Sequence, residues 1–110
     1  MRLPNAAEAI IDLRKLTEYV LDITSPRGRH KARVFWSALG MTAGDAGILA
    51  ELIITALSES ECVEGEHDIY GQRYTVDCKI MFKGRDAVVR TAWIIKRTEN
   101  IPRLTTCFVL

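Results

Sequence analysis

Cysteine, proline and aromatic residues are all scarce in this chain, and neither sign of charge is in excess. The 110 residues include three cysteines, three prolines and 7% aromatics, with 15 Lys plus Arg against 14 Asp plus Glu and a formal net charge of +1. Cys62, Cys78 and Cys107 are odd in number and lack the close paired spacing of metal ligands. A disulfide scaffold is therefore not expected; reduced thiols in core or strand positions, in a cytoplasmic setting, are. A nucleophilic role would need a neighbouring base that the spacing does not place. Near-neutrality argues against a global pull toward nucleic acid. A local patch still acts, because salt screens only beyond about 10 Å. No apolar run approaches the roughly 20 residues of a membrane span, so no membrane partner is expected. Nor does Met1-Arg2-Leu3-Pro4-Asn5 open a signal peptide, since charges interrupt the later apolar positions. There is no internal repeat, and a chain of this length builds one core, so residues 1–110 read as a single domain.

What is present is ordinary globular material, 48% hydrophobic and 26% charged, whose hydrophobic period changes part-way along. Ala9-Ile10-Ile11 suits a short strand or the first turn of a helix. Asp12 is placed to cap a helix with Leu13, Leu16, Tyr19 and Val20 on one face. Thr24 to Gly28 is a loop. A second helix is predicted from about Arg29 to Leu39, with Ala32, Phe35, Trp36 and Leu39 buried and Gly40 ending it. Thr42 caps a third, from about Ala43 to Ser58, where Ile48, Leu49, Leu52, Ile53, Ala56 and Leu57 recur at helical spacing.

Beyond an acidic loop or weak edge strand at Ser58 to Asp68, the period becomes two. Tyr74, Val76, Cys78, Ile80 and Phe82 alternate with polar neighbours, and Lys83 to Asp86 form a turn. Ala87 to Lys96 and Arg103 to Val109 read as further strands. Helices first and strands after predict an α+β fold, with N-terminal helices packed on one face of a C-terminal antiparallel sheet of three to four strands.

The most informative segment is Arg27-Gly28-Arg29-His30-Lys31-Ala32-Arg33, with five cations or potential cations in seven positions at the entry to a helix. Backbone N–H groups at a helix N-terminus attract anions, and carboxylates, not cations, are the residues that suit that place. A phosphate or carboxylate ligand fits this misfit, with Arg27, Arg29 and Lys31 as phosphate-binding candidates. A solvated loop and first turn is the plainer reading. On the sheet, burial of Tyr74, Val76, Ile80 and Phe82 turns Arg73, Thr75, Asp77 and Lys79 to the other face. Burial of Leu104 and Phe108 would leave Arg103 and Thr105 there too, joined by Arg90 if Val89 and Trp93 point inward. Arginine forks beside hydroxyls suit a phosphodiester or another oxyanion, although a charged sheet face is commonly just solvated. The acidic stretch Glu59, Glu61, Glu64, Glu66, His67, Asp68 lacks regular ligand spacing, so neither a metal nor another cofactor is expected.

Leu3-Pro4-Asn5-Ala6, Pro26-Arg27-Gly28-Arg29-His30-Lys31-Ala32-Arg33-Val34-Phe35, Tyr70-Gly71-x-Arg73-Tyr74, Ala92-Trp93-Ile94 and Pro102-Arg103-Leu104-Thr105-Thr106 together resemble an uncharacterised bacterial domain family over nearly the whole chain. The order of helices, basic helix entry and hydroxyl-rich last strand is also similar, more loosely, to the barnase–EndoU–colicin–RelE group of small ribonucleases, commonly metal-independent toxins. That resemblance implies RNA as substrate, His30 as the helix-borne basic residue, and Arg73, Arg103 and Thr105 or Thr106 as sheet-borne catalytic residues. A neutral His30 would take the proton of a ribose 2′-hydroxyl, with Lys31, Arg73 and Arg103 stabilising the phosphate charge and Thr105 positioning an oxygen; the general acid is unassigned. The competing class is a non-catalytic binding module, in which the same basic loop recognises the acidic surface of a cognate inhibitor or other partner protein, as in one half of a toxin–antitoxin-like pair.

Overall fold

Asp12 opens the first helical segment as its spacing predicts: its carboxylate accepts from the Arg14 amide at 3.0 Å. In this computed structural model, which describes residues 1–110, that segment is an α-turn, α1 (Leu13–Lys15), running straight into a π-helical stretch, Leu16–Val20. The wider turn closes on the bond from the Leu21 amide to the Leu16 carbonyl at 2.9 Å. It re-aims the apolar stripe, so Leu16, Val20 and Leu21 are buried while Leu13, expected inside, is exposed.

Helix α2 (Arg29–Leu39) has the predicted bounds, and Gly40 ends it in the left-handed region (φ 71°), where a Cβ would be strained. Ala32, Phe35 and Leu39 form its buried stripe. Trp36, expected on that stripe, is 57% exposed on the flank of the helix. Thr42 and Asp45 make a reciprocal capping box around a 3-10 turn, Ala43–Asp45, and helix α3 (Ala46–Leu57) follows. Leu49, Ile53 and Leu57 point inward; Ile48, counted with them in the sequence pattern, faces solvent.

Four antiparallel strands follow in simple order, β1 (Cys62–Asp68), β2 (Gly71–Phe82), β3 (Arg85–Lys96) and β4 (Arg103–Val109). The acidic stretch is thus the edge strand β1. Lys83 (φ 49°) and Gly84 (φ 80°) make the two-residue hairpin turn whose twist matches paired strands. One sheet face carries Tyr74, Val76, Cys78, Ile80, Val89 and Trp93 into the core beneath α2 and α3. The molecule measures 35 × 29 × 20 Å, its short axis accommodating one helical layer on one sheet. This is the α+β arrangement with N-terminal helices and a C-terminal antiparallel sheet. No single helix is long and apolar enough to cross a membrane.

The last strand departs from strict alternation. Thr106 pairs with Ala92 but Leu104 pairs with Trp93, leaving Thr105 as an extra residue in a β-bulge. The bulge shifts the phase, so Leu104 and Cys107 are buried and Phe108, expected inside with Leu104, lies on the opposite face half-buried. All three cysteines are free and buried, and desolvation pushes the Cys107 thiol up to about 12.

Candidate functional site

The strand registers determine what the uncovered sheet face presents. Arg73, Ile94 and Arg103 form one cross-strand row; Thr75, Ala92 and Thr106 form the next; Asp77, Arg90 and Phe108 form the third. The middle row is short side chains and the outer rows bear arginines. The result is a shallow trough floored by threonine hydroxyls and flanked by cations.

Lys31 joins this face from the other layer. Helix α2 lies on the core side of β3 and β4, and the Lys31 side chain wraps the free edge of β4. Its ammonium donates to Thr106 Oγ1 at 2.9 Å and sits 5.7 Å from the ring centroids of both Tyr19 and Phe108. Two aromatic faces and one hydroxyl hold the cation without a carboxylate. The approach of the π-helical stretch to α2 that makes this possible depends on Gly28, where a Cβ would lie 1.7 Å from the Tyr19 carbonyl oxygen. Ser25 fixes the same corner: its hydroxyl accepts from the Gly28 amide at 3.1 Å and its carbonyl from the Arg29 amide at 3.0 Å. Part of the helix N-terminus expected to attract anions is therefore already satisfied, and side chains supply most of the positive potential.

The proposed residues fall into three groups. Lys31, Thr105 and Arg27 line one groove of about 570 Å³ together with Thr106, Glu18 and Lys15. Arg73 and Thr105 share an adjoining hollow with Tyr70, Ile94 and Lys96, so Thr105 is a wall common to both. His30 is exposed and lines a third hollow, beside Lys31, Val34, Phe108 and Val109. Arg103 stands in the Arg73 row, Arg90 one row beyond Thr106, and Arg29 is exposed near the start of α2.

The arginines differ in what they have left to offer. Arg103 is held bidentately by Glu99 (3.0 and 2.7 Å) and Arg90 bidentately by Asp77 (2.8 and 3.0 Å). Arg73 gives only Nε to Asp68, at 3.1 Å, and keeps both terminal nitrogens free. Each partner carboxylate is held below its ordinary range: Asp77 by Arg90, Glu99 by Arg103, and Asp68 first by the Tyr70 amide and then by Arg73.

The two threonines differ as well. Thr105 donates its hydroxyl proton to the Ala92 carbonyl at 3.1 Å. Thr106 accepts from Lys31 and so has its own proton free for an incoming oxygen. Of the two, Thr106 is the better hydroxyl donor to an anion.

Charge is segregated across the molecule. Lys15, Arg27, Arg29, Lys31 and Arg33 have no carboxylate within ion-pair distance. Glu64 and Glu66 lie on β1, at the sheet edge opposite β4.

Residues 2–110 match the family described as Domain of unknown function (DUF6883). The chain belongs to that family. An uncharacterised domain family is what its spaced motifs implied. No curated protein matches the chain. Among solved structures, it is similar to a chain of the "Contact-dependent growth inhibition toxin - immunity protein complex from Klebsiella pneumoniae 342", with a TM-score of 0.70 and 15% identity over 92% of this chain and 99% of that one. At that identity the likeness is one of fold.

In the DUF6883 domain, Glu18, Tyr19 and Lys15 also line the groove, although no local motif marks them for it. Helical spacing puts Tyr19 on a buried face, and the π-helical turn that brings it to Lys31 has no sequence signature. Thr106 carried a signal, since Thr105-Thr106 were adjacent hydroxyls, but only the bulge decides between them.

Proposed function

We propose that this DUF6883 domain is a toxin domain that cleaves RNA phosphodiesters. The observation that carries the reading is the Lys31 ammonium, held without a carboxylate against Thr106 at the edge of a hydroxyl-floored, arginine-flanked trough. The fold it shares with a chain of a toxin–immunity complex supports the toxin part of this reading. The sign of the groove favours the toxin side of such a pair, because a protein that masks a phosphate-binding site needs the opposite charge.

In this proposal the scissile phosphate sits at Thr106. Lys31 and the free terminal nitrogens of Arg73 stabilise the charge that builds on its non-bridging oxygens, and the Thr106 hydroxyl donates to one of them. Arg73 and Thr106 are two strands and one row apart, about 12 Å between backbones, a gap that an extended arginine side chain and a phosphate together span. Arg27 and Lys15 hold flanking phosphates. Arg103 and Arg90, each doubly engaged by a carboxylate, brace the trough. Thr105 shapes the wall.

Proton transfer needs groups on both sides of the phosphate. Glu18 lines the Thr106 groove and His30 the hollow beyond Lys31. We assign Glu18 to accept the proton of the ribose 2′-hydroxyl and His30 to return one to the leaving 5′-oxygen. This gives His30 the opposite role from the one its sequence resemblance implied. The 2′-oxygen bonds to phosphorus, the bond from phosphorus to the 5′-oxygen breaks, and the products are a 2′,3′-cyclic phosphate and a 5′-hydroxyl.

The test is cleavage of total RNA and tRNA by purified protein in excess chelator. Expected is cleavage that survives chelation, falls at least about 100-fold in Lys31→Ala, and falls also in Glu18→Gln and His30→Ala. Full activity in a folded Lys31→Ala variant would sink the reading. Absence of cleavage by the wild type at high concentration favours the non-catalytic module that binds a partner protein.

A further inference from the structure

Helix α2 has a second functional flank, opposite the one that carries Lys31. Arg29, Arg33 and Trp36 recur at i, i+4 and i+7, so they share one side of the helix, away from Lys31 and Val34. Trp36 is 57% exposed and Ile23, facing it, 60%. Between them lies a groove of about 540 Å³, walled by Leu21, Ile23, Trp36 and Met41, with Arg33 and Asp22 at its rim. A large indole left in water beside an apolar groove is unusual for a chain whose other tryptophan, Trp93, is 1% exposed.

The rim charges narrow the choice of occupant. Arg29 and Arg33 have no ion-pair partner. Asp22, the one acid at the rim, already accepts from the Thr24 amide at 2.8 Å and the Thr24 hydroxyl at 2.6 Å. An aromatic face beside unpaired arginines takes a ligand that is flat, apolar on its face and anionic along its edge. A stacked nucleobase with its phosphate has that chemistry. The groove is also connected to the proposed site by charge: Arg27 borders the Lys31 groove, Arg29 follows at the start of the helix, and Arg33 borders the Trp36 groove. The path crosses one helix, about 10 Å wide.

We infer that the Trp36 groove is a second nucleotide subsite, in which an unpaired base of the RNA substrate stacks on Trp36 while its phosphates follow Arg29 and Arg33. The inference rests on the ribonuclease reading and adds to it a preference for single-stranded RNA long enough to cross α2. Duplex RNA, whose bases are already stacked, does not enter.

Two substrates separate this subsite from the chemistry. A dinucleotide fills only the Lys31–Thr106 site; a single strand of about ten nucleotides reaches both. Trp36→Ala and Arg33→Ala are each expected to lower kcat/KM on the longer strand about 10-fold or more, mainly through KM, with dinucleotide cleavage unchanged. Trp36→Phe, which keeps a stacking face, is expected to lose less. A 2′-O-methyl strand, which lacks the nucleophile, is expected to quench Trp36 fluorescence without being cleaved. Equal kinetics of wild type and Trp36→Ala on both substrates, or no quenching, overturns the subsite, leaves the ribonuclease reading standing, and gives the groove to a protein partner. Equal loss on both substrates also overturns it. If the wild type cleaves neither substrate, the ribonuclease reading itself fails, and the subsite with it.

Discussion

Lys31 Nζ and Thr106 Oγ1 lie 2.9 Å apart across 75 residues of sequence, and this one bond ties the helical layer to the exposed face of the sheet. Because Thr106 is the acceptor, its proton is free, whereas the neighbouring Thr105 donates to Ala92. The two hydroxyls should therefore respond differently to removal. Thr106→Val is expected to lower RNA cleavage at least about 10-fold and, because it also removes the Lys31 bond, to lower stability by about 1 kcal/mol or more. Thr105→Val is expected to leave cleavage within a few-fold and lower stability by about 1 kcal/mol, the worth of a typical hydrogen bond at a bulge. Parallel cleavage assays and urea melts of the two variants check this; equal activity losses would return Thr105 to the role the sequence suggested.

A second hydroxyl organises the core. Thr91 is fully buried, donates to the Val76 carbonyl at 2.7 Å, and accepts from the Trp93 indole N–H at 2.7 Å. Thr91→Val keeps the shape but leaves the indole N–H and the carbonyl without that partner. A loss of about 2 kcal/mol or more is expected from chemical denaturation, given the cost of leaving a buried donor unmet. A loss below about 0.5 kcal/mol would show that the core repacks to supply another acceptor.

Much of the fold was legible because it rests on local rules. Asp12, Thr42 and Gly40 cap or end segments by chemistry that three or four residues reveal. The alternation from Tyr74 to Phe82 survives unbroken as β2 because no bulge interrupts it. Phe108 is the instructive failure. Its hydrophobicity suits the core, yet one extra residue at Thr105 moves it to the other face and puts Cys107 inside. Trp36 departs from its expected place for a related reason. Helical spacing admitted it to the buried stripe, but that stripe is only wide enough for Ala32, Phe35 and Leu39. At the site, the residue types were readable and their convergence was not. Which arginine has free nitrogens depends on Glu99, Asp77 and Asp68, set by strand register and turn geometry that no local pattern encodes.

Gly28 is predicted to be the least replaceable residue of the basic segment. Its backbone lies in the ordinary right-handed region (φ −98°), so its role is space rather than freedom. An added Cβ would lie 1.7 Å from Tyr19 backbone oxygen, and backbone cannot swing aside as a side chain can. Gly28→Ala is expected to cost about 3 kcal/mol or more, at or above the upper range for overpacking. It should also separate Tyr19 from Lys31, so activity falls with stability. Gly47→Ala is the control, since nothing lies within 4 Å of a Cβ there; it is expected to be neutral or slightly stabilising in the same thermal melts.

Acid should loosen the rim of the trough before the core. Asp68, Asp77 and Glu99 all have folded-state values depressed below the ordinary ones, 3.8 for aspartate and 4.5 for glutamate. A group of this kind binds its proton less tightly when folded. Its stabilisation is complete above the unfolded value and is lost as pH falls through the lower folded one. Urea midpoints are therefore expected to hold level from pH 7 to about 5 and to drop below about pH 4. Asp77→Asn removes one of these titrations and should make the acid drop shallower. Added salt should blunt it further, because these pairs are partly exposed and open to screening. A midpoint that stays level down to pH 3 would show that the arginines release their carboxylates at no cost. Arg90 and Arg103 would then be as free for phosphate as Arg73.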